Sequence, residues 1–235
     1  GGLHIFTELN PTIQHVVEQV YRDEEMFPQG QSDQLIQSGA IFINPSTGGI
    51  NALVGGRGEH TFRGFNRATQ QKRQPGSTMK PLAVYTPALE QGYNMFDMLQ
   101  DSPIDIDGYQ PMNNDKQFRG EVTMYEALVH SYNVPPVWLL QRMGLKYGTN
   151  AVERFGIKLK EEDYTPGLAL GGMSEGVSPL LMAQAFSTFP NNGVRVEAHS
   201  IQKIEDADRE VIGKWNSNAT KVTDPSVAQK ITYML

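Results

Sequence analysis

Ser77 and Lys80 are the two residues whose types and spacing most directly suggest chemistry. They lie three positions apart, after a Pro-Gly turn and before the largely apolar run at 82–89. On a helix such residues share one face, with Cβ atoms roughly 5–6 Å apart. A hydroxyl and an amine in this arrangement can form a nucleophile and a base without a histidine. The sequence therefore predicts a helix from about Ser77 to Gly92 that carries this pair.

Lys80 can act as a base only if it loses its proton near neutral pH. A free lysine has a pKa near ~10.4, so the pKa must fall by about 3, which corresponds to roughly 4 kcal/mol. Burial against an apolar helix lowers a lysine pKa in this way. A second Ser-x-x-Lys pattern, Ser200 to Lys203, lies in a predicted strand over 196–204. Residues three apart on a strand point to opposite faces, roughly 10 Å from each other, so the second pattern is discarded.

Ser131 and Asn133 are the second group of candidate site residues. A capping box at Thr123 and Glu126 predicts the start of a helix, which ends at Ser131-Tyr132-Asn133 before a proline pair. Side chains at such an end can face a cleft, where a serine could relay a proton and an asparagine could bind a substrate amide. The alternative interpretation is a polar helix terminus without a chemical role.

Other chemical patterns are weaker. Gly172 to Gly176 matches the Gly-x-Ser-x-Gly nucleophile elbow, but the helix that an elbow needs is signalled only at Ser178. Residues 146–149 resemble a Lys-x-Gly-Thr strand motif, yet they lie between two predicted helices and are interpreted as a linker. The five histidines show no metal-ligand spacing, so neither a metal nor another cofactor is predicted.

Composition excludes several classes of function. The 235 residues carry a net charge of −6 without a basic run, which argues against nucleic-acid binding. There are no cysteines, and no apolar run approaches the ~18–20 residues of a membrane span. The chain starts with Gly-Gly and has no signal peptide, so we interpret it as a piece of a longer protein.

The remaining pattern predicts an α+β fold with helices clustered in the middle and strands toward the ends. The period is unclear over 93–122. In the first part of the chain the predicted elements are a strand at 3–9, a helix after Asn10-Pro11, a loop at 28–37, and a hairpin of 40–44 and 50–54 with both faces covered. Three further helices are predicted from about Pro136, at 150–155, and from Ser178 to about Asn191. Strands at 194–205 and 209–215 and a last helix from Asp224 follow.

The stretch from Arg73 to Pro81, with Ser131-Tyr132-Asn133 about fifty residues later, resembles the transpeptidase domain of penicillin-binding proteins. Similar flanking blocks are 2–11, 120–128 and 168–179, and the type resembled is the class A, bifunctional high-molecular-mass one. The resemblance implies one transpeptidase domain over 1–235 with the penicillin-binding protein/β-lactamase-like fold, a helical cluster plus an antiparallel sheet.

One family motif is missing from the sequence. No Lys-Thr-Gly or Lys-Ser-Gly tripeptide occurs, and the chain stops at Leu235, in what resembles the helix before that strand. The resemblance implies that further sheet strands and a final helix lie elsewhere, in an additional segment, a disordered tail or a separate fragment. Without them the fold is incomplete, with an open apolar sheet edge, and this chain alone is expected to be inactive.

The resemblance also assigns roles. Ser77 would be the acylated nucleophile, neutral Lys80 its base and Ser131 the proton relay to the leaving amine, while Asn133 would bind the donor peptide's backbone. The substrates would be peptidoglycan stem peptides ending in D-Ala-D-Ala, and β-lactams would acylate the same serine. The enzyme would act at the outer face of the bacterial cytoplasmic membrane, in a membrane-anchored protein with an N-terminal glycosyltransferase domain.

Two alternatives stay open at this point. The first is a β-lactamase or D,D-carboxypeptidase on the same fold, in which water replaces the acceptor amine. A class A β-lactamase needs a Glu-x-x-x-Asn loop for that water, and the one match to this spacing, Glu90 to Asn94, falls at the end of the predicted Ser77 helix and not in such a loop. The second is a non-catalytic cell-wall scaffold domain, which has no chemical need for all four of Ser77, Lys80, Ser131 and Asn133.

Overall fold

The computed structural model describes residues 2–31 and 35–235, so positions 32–34 of the predicted loop lie outside the described residues. The chain divides into two compact units, each described here by itself. One comprises residues up to 72, 178–187 and 195–220, and the other comprises 73–177, 188–194 and 221–235. Helices and antiparallel strand pairs are both present, as the α+β prediction requires.

The first unit begins with strand β1 (His4–Thr7) and helix α1 (Pro11–Arg22). Asn10 caps the helix as predicted, because its Oδ1 accepts hydrogen bonds from the N–H groups of Thr12 and Ile13 at 3.0 and 3.2 Å. One face of α1 packs on the following hairpin and forms a small core. That core consists of Val17, Ala52 and Val54, with Ile13 and Tyr21 against it.

The predicted hairpin is present as β2 (Ala40–Ile43) and β3 (Ile50–Val54), which pair antiparallel. The Gln14 side chain of α1 closes the outer edge of β3, donating to the Leu53 carbonyl at 3.0 Å and accepting from its N–H at 2.9 Å. The prediction that both faces are covered is wrong at Phe42, whose surface is 44% exposed. An apolar run without alternation therefore did not establish burial on both sides here.

The same unit contains a three-stranded antiparallel sheet of β1, β7 (Ile201–Glu205) and β8 (Val211–Lys214). The single strand predicted over 194–205 is wrong: β6 (Val194–Val196) and β7 are separate. His199, between them, instead bonds the hairpin turn, donating to the Gly48 carbonyl and accepting from the Ile50 N–H. Helix α6 (Pro179–Phe186) starts at the Ser178 cap as predicted but ends before Asn191.

The second unit is built around the helical stretch that contains Ser77 and Lys80. A strand pair, β4 (Met98–Asp101) and β5 (Gly120–Thr123), leads into helix α3 (Met124–Val129). Helices α4 (Val134–Met143), α5 (Leu145–Arg154) and α7 (Pro225–Met234) complete the unit. The largest fully buried apolar side chains of its core include Leu82, Tyr85, Leu99, Met124, Leu139, Leu140, Phe155, Leu168 and Ile231.

Two predictions for this unit are wrong. Helix α4 begins at Val134, before the proline pair. Proline is tolerated in the first turn because the N–H groups there have no acceptor within the helix, so no helical hydrogen bond is lost. Residues 146–149 belong to α5 and are not a linker, since the helix break falls at Gly144 with φ 101°. The pair β4–β5 lies in the region 93–122, where the period is unclear, and β9 (Ala219–Lys221), which pairs with β6, was not predicted.

Candidate active site

The Ser77 and Lys80 turn is tighter than an α-helix. Residues Gly76–Met79 form a 3₁₀ turn, in which the Lys80 N–H bonds the Ser77 carbonyl, and a 3₁₀ turn places residues i and i+3 directly above each other. The stretch Pro81–Tyr85 is widened, with the Thr86 N–H bonded to the Pro81 carbonyl five residues back. Proline explains the irregularity because it cannot donate the hydrogen bond of a regular helix. The predicted helix is thus present, and it ends as α2 (Thr86–Glu90).

Ser77 and Lys80 differ sharply in exposure. Ser77 is exposed, and its hydroxyl makes no hydrogen bond to any residue of 2–31 or 35–235. Lys80 is 0% exposed and is among the largest fully buried side chains of the protein. A nucleophile and its base must come within hydrogen-bond reach of each other. In this structure the Ser77 hydroxyl and the Lys80 amine lie one turn apart, and the Lys80 amine bonds Ser131 and Asn133 instead of Ser77.

The Lys80 Nζ donates three hydrogen bonds, which matches the three N–H groups of an ammonium. The acceptors are the Ser131 carbonyl at 2.7 Å, the Ser131 Oγ at 3.0 Å and the Asn133 Oδ1 at 2.8 Å. Burial lowers the pKa of the Lys80 amine from 10.5 to about 8. A group with that pKa is neutral in about one molecule in ten at pH 7. The predicted lowering of the Lys80 pKa is therefore present. The Ser131 hydroxyl, which can both donate and accept a proton, lies in contact with the amine.

Ser131 reaches Lys80 because its backbone adopts a left-handed conformation. Helix α3 ends at Val129, and Ser131 follows with φ 53°, a region that few residues other than glycine adopt. Its N–H bonds the Leu128 carbonyl at 2.9 Å and that of Tyr132 bonds the Ala127 carbonyl at 3.0 Å, which closes the helix end. This turn directs both the carbonyl and the hydroxyl of Ser131 at Lys80.

Asn133 uses both ends of its amide. Its Oδ1 accepts from Lys80, and its Nδ2 donates to the Met112 carbonyl at 2.9 Å. The amide is therefore fixed in orientation, and one lone pair of Oδ1 stays available for a further donor. The sequence predicted that Lys80, Ser131 and Asn133 meet at one site, and the structure places their polar atoms in direct contact.

A glycine-rich loop supports the Ser77 turn, a role that the sequence analysis did not assign. The loop runs antiparallel to the residues before the turn: Arg73 and Val177 exchange both backbone hydrogen bonds, at 3.2 and 2.8 Å. Gly171 approaches so closely that a Cβ there would lie 2.4 Å from the backbone N and O of Gly76. The available signal is the glycine-rich block at 168–179, which contributes to the family resemblance.

The rejected patterns have structural roles. The Ser174 N–H donates to the Asp163 Oδ1 at 2.6 Å, and no helix begins at Ser174, which the nucleophile elbow would require. Lys203, of the second Ser-x-x-Lys pattern, lies in β7 and pairs with Glu205. Within the described ranges, no three or more His, Cys, Asp and Glu residues are grouped as a metal site, and no helix is long and apolar enough to cross a membrane.

Comparison with known families assigns the chain. Residues 38–235 match the family model described as the penicillin binding protein transpeptidase domain. The protein belongs to this penicillin-binding protein transpeptidase family, which confirms the resemblance drawn from the two motifs.

The chain is also similar to whole proteins. It is 39% identical to penicillin-binding protein 2a of Streptococcus pneumoniae over 240 residues, which cover 100% of this chain and 33% of that protein. It is 39% identical to penicillin-binding protein 1F of Bacillus subtilis over 236 residues, which cover 100% of this chain and 32% of that protein. These relatives confirm the resemblance to the class A type. The chain spans about a third of the length of the curated relatives that it matches.

The fold is shared with a solved structure of the PonA1 protein from Mycobacterium tuberculosis in complex with penicillin V. The TM-score is 0.83 at 26% identity, over 99% of this chain and 63% of that one. The predicted fold class, a penicillin-binding protein transpeptidase fold of helices and antiparallel sheet, is thereby confirmed.

Proposed function

We propose that this chain is the larger part of the catalytic domain of a serine D,D-transpeptidase that crosslinks peptidoglycan stem peptides ending in D-Ala-D-Ala. The observation that carries the proposal is the contact of buried Lys80 with Ser131 and Asn133, one helical turn from exposed Ser77. The family assignment and the relatives' names support the same activity. The two compact units would form one transpeptidase domain together with chain that carries the Lys-Thr-Gly or Lys-Ser-Gly motif.

The proposed reaction starts with proton transfer from the Ser77 hydroxyl to neutral Lys80. The Ser77 oxygen attacks the carbonyl of the penultimate D-Ala, and the resulting oxyanion is held by backbone N–H groups, one of them from Ser77. When the C–N bond breaks, the proton passes from Lys80 through the Ser131 hydroxyl to the leaving D-Ala amine. An acceptor amine of a second peptide then attacks the acyl-enzyme and returns its proton by the same route, which regenerates Ser77.

Asn133 would have two roles in this scheme. Its Oδ1 holds the Lys80 amine, and the second lone pair of that oxygen can accept a backbone N–H of the donor peptide. β-Lactams would acylate Ser77 as substrate analogues, and the PonA1 structure that shares the fold, a complex with penicillin V, supports binding of such a compound. We place the reaction at the outer face of the cytoplasmic membrane, in a membrane-anchored protein whose preceding domain is a glycosyltransferase.

The proposal is tested with fluorescent penicillin and the full-length protein. We expect one covalent label per wild-type molecule, located by mass spectrometry on the peptide that contains Ser77, and none on Ser77→Ala. An unlabelled wild type, or a Ser77→Ala variant labelled as strongly as wild type, would refute the serine acyl-enzyme. Rapid turnover of a chromogenic β-lactam would instead identify a β-lactamase.

A further inference from the structure

A buried asparagine outside the predicted motifs, Asn113, contacts the segment that holds Lys80. Its side chain is 3% exposed, and its Oδ1 accepts hydrogen bonds from the N–H groups of Asn133 at 2.8 Å and Val134 at 3.2 Å. These N–H groups lie at the start of α4, where a helix offers them no internal acceptor. The Asn133 side chain makes no capping bond. Asn113 therefore caps this helix from a position twenty residues earlier in the chain.

The other end of the Asn113 amide is also fixed. Its Nδ2 donates to the Asp101 Oδ1 at 2.7 Å and to the Gln117 carbonyl at 2.8 Å. Asp101 is 0% exposed, and its Oδ2 accepts from the Arg119 N–H at 3.1 Å, with the Arg119 guanidinium 3.7 Å away. Both donors and both acceptor positions of the Asn113 amide are thus occupied, which leaves one orientation for it.

We propose that Asn113, held by Asp101, is a positioning residue for acylation of Ser77. Asn113 does not bond Lys80; it fixes the backbone of Asn133, whose own Oδ1 is one of the three acceptors of the Lys80 Nζ. The inference rests on the proposed function and deepens it, because it names residues that keep the base in place.

Loss of the Asn113 contact would disturb more than one hydrogen bond of the Lys80 amine. Ser131 precedes Asn133 by two residues, so a backbone held at Asn133 also limits the movement of the Ser131 carbonyl and hydroxyl. All three acceptors of the Lys80 amine therefore lie on one short segment, and Asn113 is bonded to the end of that segment. A misplacement of about 1 Å in such a group can cost on the order of 100-fold in rate.

The first test separates chemistry from binding in the full-length protein. Asn113→Ala is expected to lower the rate constant for acylation by penicillin about 10- to 100-fold, while the dissociation constant of the noncovalent complex changes by less than about threefold. The matched control is Ile231→Ala in α7, which removes a fully buried apolar side chain of the same unit that takes no part in the hydrogen bonds around Lys80. Ile231→Ala is expected to lower the melting temperature without changing the acylation rate constant.

The second test is rescue, which a purely structural role would not predict. Asn113→Asp keeps the acceptor for Asn133 but sets a carboxylate against the Asp101 carboxylate and the Gln117 carbonyl. Adding Asp101→Asn supplies a donor from the Asp101 side but not from the Gln117 side, so the rescue is partial. We expect the double variant to acylate at least about 10-fold faster than Asn113→Asp alone.

The possible outcomes distinguish the two proposals. If wild type acquires no label, the proposed function is wrong. If wild type is labelled, the positioning role is refuted by either of two results: Asn113→Ala acylates at the wild-type rate while its melting temperature falls, or the double variant acylates no faster than Asn113→Asp.

Discussion

The Lys80 Nζ lies 2.7 Å from the main-chain carbonyl of Ser131 and 3.0 Å from the hydroxyl of the same residue. Ser131 therefore holds the amine through two different groups. The carbonyl accepts a hydrogen bond from Lys80 in either protonation state, whereas the hydroxyl can accept from an ammonium or donate to a neutral amine. A change of protonation at Lys80 thus requires only rotation of one O–H, and the heavy atoms keep their places.

The first prediction concerns the pH dependence of acylation. Because burial lowers the pKa of Lys80 to about 8, and only the neutral amine accepts the Ser77 proton, the acylation rate constant should rise with pH and level off above about 8. Below that pH it should fall about tenfold per pH unit. The measurement is the rate of labelling by fluorescent penicillin from pH 6 to 10.

Ser77→Ala, measured at each pH, corrects for spontaneous hydrolysis of the β-lactam. A rate that stays constant from pH 6 to 9 would contradict the role of Lys80 as base. A midpoint near 10.4 would show that burial does not lower the lysine pKa in the working protein.

The second prediction compares two substitutions of Ser131. Both Ser131→Ala and Ser131→Gly remove the hydroxyl, so both should slow acylation about 100-fold or more. They differ in the backbone, because φ 53° is strained for alanine and not for glycine. Ser131→Gly should therefore be the more stable variant by about 1 kcal/mol, measured by urea unfolding. Equal stability of the two variants would show that the left-handed turn is not maintained.

The third prediction concerns the charge of the group that faces Lys80 from position 133. Asn133→Asp has the same shape but places a carboxylate against the amine, and an opposite charge favours the protonated lysine. The pKa of Lys80 should rise, and the midpoint of the acylation profile should move above 8. If it moves by one pH unit, acylation at pH 7 falls about tenfold while the plateau at high pH changes less.

The control for this prediction is Asn133→Ala, which removes the Oδ1 acceptor without adding charge. Its midpoint should not move upward. An upward shift of equal size in both variants would assign the effect to lost geometry and exclude a charge effect.

The fourth prediction concerns the glycine-rich loop. Gly171→Ala should destabilise the protein by about 1–2 kcal/mol and slow acylation, because φ is 78° and the new Cβ would lie 2.4 Å from the Gly76 backbone beside Ser77. Gly167→Ala is the matched control, since its Cβ would meet only the Thr165 hydroxyl at 3.5 Å, an ordinary contact. Melting temperature and labelling rate are measured for both variants. A labelling rate that is unchanged in Gly171→Ala would contradict a supporting role of the loop.

Local sequence signals predicted most of the helix starts correctly. Asn10, Thr123 and Ser178 each bond the first-turn N–H groups that their side chains were expected to cap. The short strands β4 and β5 were missed because their residues carry no clear period. The interruption between β6 and β7 was missed because His199 exchanges its backbone hydrogen bonds with the distant Gly48 and Ile50, which no local pattern reveals.

The sequence by itself determined that Ser77 and Lys80 lie one turn apart on one face, because a spacing of three on a helix brings two side chains together regardless of what surrounds them. The helix end before the prolines made Ser131 and Asn133 candidates, and the resemblance to the transpeptidase family singled them out. Only the tertiary structure decided what Lys80 bonds and how its pKa changes, since burial and long-range hydrogen bonds depend on segments about fifty residues apart in the chain. The role of Asn113 also depends on the tertiary structure. Only the folded chain brings Asp101 to one end of its amide and Asn133 to the other.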